Sequence, residues 1–114
     1  MTLFPAFLKL EERPVLVVGG GSIATSKISG LVQAGARVTV VSPELSSRLA
    51  ESVRNREIEW LPKYFEPGDL DGKILVLAAT SLRDLNASVY REAEKRQVLC
   101  NAVDDVEHLS LIHI

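Results

Sequence analysis

Pro14-Val-Leu-Val-Val-Gly-Gly-Gly-Ser-Ile-Ala24 is the stretch that decides how this chain folds. An apolar run of strand length stops abruptly at three glycines, as a strand buried on both faces does when it enters a tight turn. Beyond the glycines, Ile23, Ala24, Ile28, Leu31 and Val32 recur at helical spacing, with Ser22 placed to cap the helix and Gly35 to end it. Strand, glycine turn and helix make the first half of a βαβ unit. Gly19-Gly-Gly-Ser-Ile-Ala24 within it spells G-x-G-x-x-A. In that context each small residue has a physical reason to be there. Gly19 permits the turn, Gly21 lets backbone approach a pyrophosphate, and Ala24 lets helix and strand pack closely. The free amides of the first helical turn then face an anion. A Walker loop is excluded, because no Gly-Lys-Ser/Thr closes the glycine run.

Working outward, residues 37–41 form a second β-branched run, and Ser42-Pro43 opens a helix with Leu45, Leu49 and Val53 on one face. Residues 57–61 alternate as a half-buried strand, with Ile58 and Trp60 on one side, and 62–72 read as loop. Residues 73–79 are the most apolar strand, expected at the centre of the sheet. Leu82, Leu85, Val89 and Ala93 mark a helix face, and 97–102 a last strand. Strands alternating with helices predict an α/β fold: a Rossmann-like, doubly wound parallel sheet in three layers. Residues 1–13 fit either an extra edge strand or a docked segment.

The composition agrees. The 114 residues are 46% hydrophobic and only 5% aromatic, a balance that suits parallel strands covered on both sides. Thirteen Lys and Arg against fifteen Asp and Glu leave a net charge of −2, so no basic excess points to nucleic acid or an anionic membrane. The single cysteine, Cys100, precludes an internal disulfide and reads as a small buried hydrophobe in a reducing compartment. The longest apolar run, 74–79, is too short to span a bilayer. A cytoplasmic domain is expected.

Several residues are placed for chemistry at the carboxyl ends of the strands, where open α/β sheets bind ligands. Ser42 occupies the usual position of the ribose-binding acid, and Glu44 is the nearest acid. It has two readings, ribose ligand or favourable charge at a helix N-terminus. Residues 42–47 hold no Lys or Arg for a 2′-phosphate, so NAD is favoured over NADP. Thr80 and Ser81 follow a strand beside the expected cleft, where small residues let a nicotinamide ring come close; a strand running into a helix cap explains them as well. Asp104 and Asp105 end the last strand, as a proton acceptor or as a turn. His108 and His113 lack partners at metal-ligand spacing, and no metal is expected.

Val17-Val-Gly-Gly-Gly-Ser-Ile-Ala24 with Lys27, Ala34-Gly-Ala36, Ala78-Ala-Thr80, Asn86 and Cys100-Asn-Ala-Val-Asp104 together resemble the precorrin-2 dehydrogenases, the N-terminal module of sirohaem synthases. The resemblance runs from about Leu3, in Leu3-Phe-Pro-Ala-Phe-Leu, to His108. It implies NAD-dependent oxidation of precorrin-2 to sirohydrochlorin, with ferrous-iron insertion at the same site in some members, and a homodimer of the full-length parent. It also implies the acid-base role for Asp104, pyrophosphate contacts at Ser22 and Ile23, and adenosine-side contacts at Pro43 and Glu44. With Gly19, Gly21 and Thr80 these are the expected cofactor residues.

Residues 1–108 are expected to be the NAD-binding domain, and 109–114 a non-native tail left by a truncated reading frame. From Val98 onward there is no Lys or Arg. The cations that a polycarboxylate substrate needs must come from elsewhere in the parent or from Lys9, Arg13 or Arg83, and the 114-residue chain is expected to bind NAD without turnover. Two readings compete: a Rossmann module that senses NAD(H), and a methyltransferase with a similar glycine loop. A sensor has no use for a carboxylate at Asp104, and the missing acid at Ser42 counts against a methyltransferase too.

Overall fold

The computed structural model describes residues 8–102. Five strands, β1 (Pro14–Val18), β2 (Arg37–Val41), β3 (Ile58–Leu61), β4 (Leu75–Ala78) and β5 (Leu99–Ala102), alternate with three helices, α1 (Ser22–Gln33), α2 (Ser47–Arg54) and α3 (Arg83–Lys95). A single 3-10 turn, Pro67–Leu70, lies in the connection between β3 and β4. All pairings are parallel and the strand order is β3-β2-β1-β4-β5, which confirms the doubly wound Rossmann-like sheet. β1, not β4, is the middle strand; β4 lies beside it as an interior strand, with all four of its residues buried.

The side-chain alternation of β1 separates two cores. Val15 and Val17 face Ala24, Ile28 and Leu31 of α1 and Leu49 of α2. Leu16 and Val18 face Val89 and Ala93 of α3 and Leu70 of the 3-10 turn. Continuous apolar runs are what a strand buried on both sides needs, and the four valines and leucines of β1 are at most 2% exposed. Cys100 belongs to the second core, as a buried cysteine should.

All three helix starts differ from expectation. α1 begins at Ser22 itself, with Gly21 as its N-cap and no side-chain cap. α2 begins five residues after Ser42 and is capped by Ser46, whose hydroxyl accepts from the Leu49 amide at 3.2 Å. Pro43 therefore lies in a loop and not in a helical turn. Residues 42–46 do not wind because their backbone is committed to the glycine turn: the Ser46 amide donates to Gly20 O at 2.7 Å. Leu82 likewise precedes α3 as its N-cap and stands exposed, while Asn86, Val89 and Ala93 form the buried helix face.

Residues 8–13 are a docked segment without strand pairing. Leu8 and Leu10 pack on the first core, and the Glu12 amide donates to Gly35 O at 2.8 Å. Gly35, at φ +82°, ends α1 as expected. Phe4, Phe7, Asp104, Asp105, His108 and residues 109–114 lie outside the described residues. No helix among the described residues is long and apolar enough to cross a membrane.

Candidate functional site

The strands end together along one edge, and the site is built from the turns that follow β1, β2, β3 and β4. At the end of β1 the ladder continues one residue further: the Gly19 amide donates to Val41 O at 3.0 Å, and the Ala79 amide to Val18 O at 2.9 Å. Gly19 then turns at φ +125°, with its Cα packed on the Ala79 carbonyl. A side chain there would be strained and would collide with backbone. Gly20 is equally confined. A Cβ on it would run into the carbonyl oxygen of Glu44 and the hydroxyl of Ser42.

Gly21 is different. It has ordinary extended backbone angles, φ −98° and ψ −153°, and a Cβ built on it would meet nothing within 4 Å. Nothing among the described residues demands glycine there, and the space above it opens on the start of α1. The carbonyl of Gly21 accepts from the Thr25 amide at 2.9 Å and the Thr25 hydroxyl at 2.7 Å. Thr25 and Ser46 hydroxyls meet at 2.8 Å, tying α1 to the cap of α2. The first turn of α1 carries no acid, so its positive end is open to an anion.

Gly19, Gly21, Ser22, Ile23, Pro43, Glu44 and Thr80 all line one cavity of about 390 Å³, together with Gly20, Ser42, Tyr64, Ala79, Ser81, Leu82 and Leu85. Ser42 is buried and fully engaged. Its hydroxyl donates to Glu44 O at 2.6 Å, its amide donates to Leu61 O at 3.2 Å, and its carbonyl accepts from Trp60 Nε1 at 2.9 Å. It shapes the loop and has no proton left for a ribose. Glu44 lies before α2 on the exposed cavity wall. Among the described residues its carboxylate has no hydrogen-bond or ion-pair partner.

The turn after β4 is held by a side chain. Asn86, 1% exposed, takes the Thr80 residue in both directions: Nδ2 donates to Thr80 O at 2.9 Å, and Oδ1 accepts from the Thr80 amide at 3.2 Å. The Thr80 hydroxyl lies 2.8 Å from Asn86 Oδ1 and 3.1 Å from Leu82 O, and it accepts from the Leu82 amide at 3.0 Å. Its single proton is thus used inside the turn.

Cys100 is pushed up to about 12 by burial, which keeps it a neutral thiol. No group of three or more His, Cys, Asp and Glu residues that might hold a metal occurs among the described residues.

A family model described as "Putative NAD(P)-binding" matches residues 6–113. The chain belongs to this family. Within this NAD(P)-binding family, it is 50% identical over 112 residues to siroheme synthase of Methylobacillus flagellatus and 47% identical to siroheme synthase 3 of Aeromonas hydrophila. Each match covers 98% of this chain and 24% of the relative, so the chain spans about a quarter of the length of those relatives. The solved structure of SirC, precorrin-2 dehydrogenase, superposes with a TM-score of 0.80 at 32% identity, covering 90% of this chain and 50% of that one. The dinucleotide is a nicotinamide one, and the open space over Gly21 beside the start of α1 has room for its pyrophosphate.

Gly20 and Tyr64 were not singled out from the sequence as site residues, and Asn86 only through the family resemblance. Gly20 had a signal, the third glycine where the motif needs only two, but its neighbour lies over twenty positions away. The clamp by Asn86 and the position of Tyr64 exist only in three dimensions.

Proposed function

We propose that this chain is the NAD-dependent precorrin-2 dehydrogenase module of a sirohaem synthase, and that Gly19, Gly21, Ser22, Ile23, Pro43, Glu44 and Thr80 line its dinucleotide site. The open space over Gly21 carries the reading: no neighbouring atom among the described residues requires glycine there, and the space adjoins the start of α1. Support comes from the near-half identity to siroheme synthases along 98% of the chain. Amides at the start of α1 bind the pyrophosphate, and the Glu44 carboxylate accepts hydrogen bonds from the adenosine ribose. A bound NAD+ would supply the hydride acceptor for the tetrapyrrole. Asp104, which lies outside the described residues, accepts the accompanying proton, so that the substrate loses one hydride and one proton. The Thr80 turn, fixed by Asn86, forms the wall facing the cofactor.

Residues 42–47 contain no cation for a 2′-phosphate, and Arg48 lines a separate hollow of about 410 Å³ that shares Ser22 with the cleft. Calorimetry with both dinucleotides is expected to show NAD+ binding more tightly than NADP+. A preference for NADP+ that disappears in Arg48→Ala would relocate the 2′-phosphate to that hollow and end the NAD assignment. In the full-length protein, Asp104→Asn is expected to abolish precorrin-2 oxidation at nearly unchanged NAD+ affinity. Undiminished turnover would remove Asp104 from the reaction and bring Asp105 forward.

A further inference from the structure

Among the described residues the two most exposed large apolar side chains are Tyr64, at 76%, and Leu82, at 62%. Both line the cavity over the glycine turn. Tyr64 does not stand out because its loop is loose. The Lys63 amide donates to Leu61 O at 2.9 Å, and Lys63 Nζ reaches Asp69 Oδ2 at 2.7 Å and Glu66 Oε1 at 2.9 Å. Glu66 and Asp69 close a reciprocal capping box on the 3-10 turn, whose Leu70 is buried. Phe65, the next residue, packs against the second core. The residues on both sides of Tyr64 are drawn into the fold, and the aromatic ring alone is left over the cavity.

Its place along the strand edge separates the two halves of a dinucleotide. The pyrophosphate belongs at the end of β1, in the middle of the sheet. Tyr64 follows β3, on the same side as Pro43 and Glu44, which follow β2. The opposite side leads through β4 to β5, whose end precedes Asp104. Leu82, after β4, forms the wall across the cavity from β2 and β3.

We infer that the Tyr64 ring stacks on the face of the adenine, with Leu82 as the apolar wall that closes the cavity from the β4 side. The inference rests on the dinucleotide reading of the cleft. Stacking removes a flat apolar surface from water and needs no hydrogen bond from the phenol, whose hydroxyl has no partner among the described residues.

The test is calorimetric titration of the chain and its variants with ADP-ribose and with NAD+. Tyr64→Ala is expected to weaken both by the same factor, about tenfold, as loss of one aromatic–base stack does. Tyr64→Phe stays within about twofold of wild type, and Leu82→Ala weakens both about threefold. Far-UV circular dichroism confirms that the variants fold, as expected for side chains this exposed. ADP-ribose affinity of Tyr64→Ala within twofold of wild type overturns the inference while leaving the dinucleotide reading intact. So does a loss confined to NAD+, which would move Tyr64 to the nicotinamide side. If the wild-type chain binds neither probe, the dinucleotide reading fails and takes this inference with it.

Discussion

Two turns pack against each other at the cleft and are shaped by opposite means. After β1 the chain is shaped by removing side chains: Gly19 sits on the Ala79 carbonyl and Gly20 on the Glu44 carbonyl and the Ser42 hydroxyl. After β4 it is shaped by adding one, since Asn86 reaches back from the first turn of α3 and holds Thr80 by its amide and its carbonyl. The first kind of turn is intolerant, because what a new atom would meet is mostly backbone that has no rotamer to change. The second kind depends on a buried amide that loses its meaning if either partner goes. Gly21 belongs to neither class, since no described neighbour confines it, and under the proposed function that sets a folding requirement apart from a binding one.

The comparison breaks most easily at Gly20. Gly20→Ala is expected to destabilise the fold by about 3 kcal/mol, the upper range for inserting an atom into a packed region, and urea titration measures it. A change under about 0.5 kcal/mol would mean that the β2 loop is free to withdraw from the glycine turn. Asn86→Ala comes next, at about 2 kcal/mol, since it leaves the amide and carbonyl of Thr80 to find water at a part-buried site. An unaltered midpoint in the same titration would show that the clamp is incidental.

Gly21→Val sharpens the contrast from the other side. Its stability is expected to stay within about 0.5 kcal/mol of wild type, while NAD+ affinity falls at least about tenfold. Retained affinity in this folded variant would make the whole glycine run a structural turn. The smallest effect is expected at the third turn, after β3, where hydrogen bonds from Lys63 to Asp69 and then Glu66 raise the lysine above its ordinary value of 10.5. A raised value means a contribution fully present below about pH 10.5 and lost as pH climbs through the folded value. Alkaline unfolding of wild type and Lys63→Met should therefore differ slightly at neutral pH and converge above that range; a gap that widens with pH would contradict the ion pair.

The strands were legible because Pro14-Val-Leu-Val-Val18 is a continuous apolar run, which a strand covered on both sides needs, and Arg37-Val-Thr-Val-Val41 is a β-branched one. The glycine motif announced the cleft for the same reason: its spacing is local. The start of α2 was not legible. Ser42-Pro43 carries an ordinary helix-opening signal, and what overrides it is the Ser46–Gly20 hydrogen bond, a contact 26 residues apart in sequence. From the sequence Thr80 fits either a cofactor ligand or a cap, and the structure commits its proton to the turn through Asn86, a partner no spacing rule would pick. Tyr64 sits in a stretch that reads as loop, and only the pinning of Lys63 and Phe65 on either side makes it a feature of the cleft. Asp104 lies outside the described residues, so its role rests on the family resemblance.

The position of β1 also governs how the chain can reach this structure. Its neighbour β2 begins soon after β1 ends, but its other neighbour, β4, pairs Val15 with Leu75, about 60 residues downstream. Until that partner has emerged from the ribosome, Leu16 and Val18 have no second core to enter, and a growing chain carries one finished face and one wet apolar face. Closing so long a loop before any contact rewards it slows the search. The middle strand, first among the strands to be synthesised, therefore waits for the fourth before both its edges are paired, and the interval between the two events is when the nascent chain most needs shelter from its own kind.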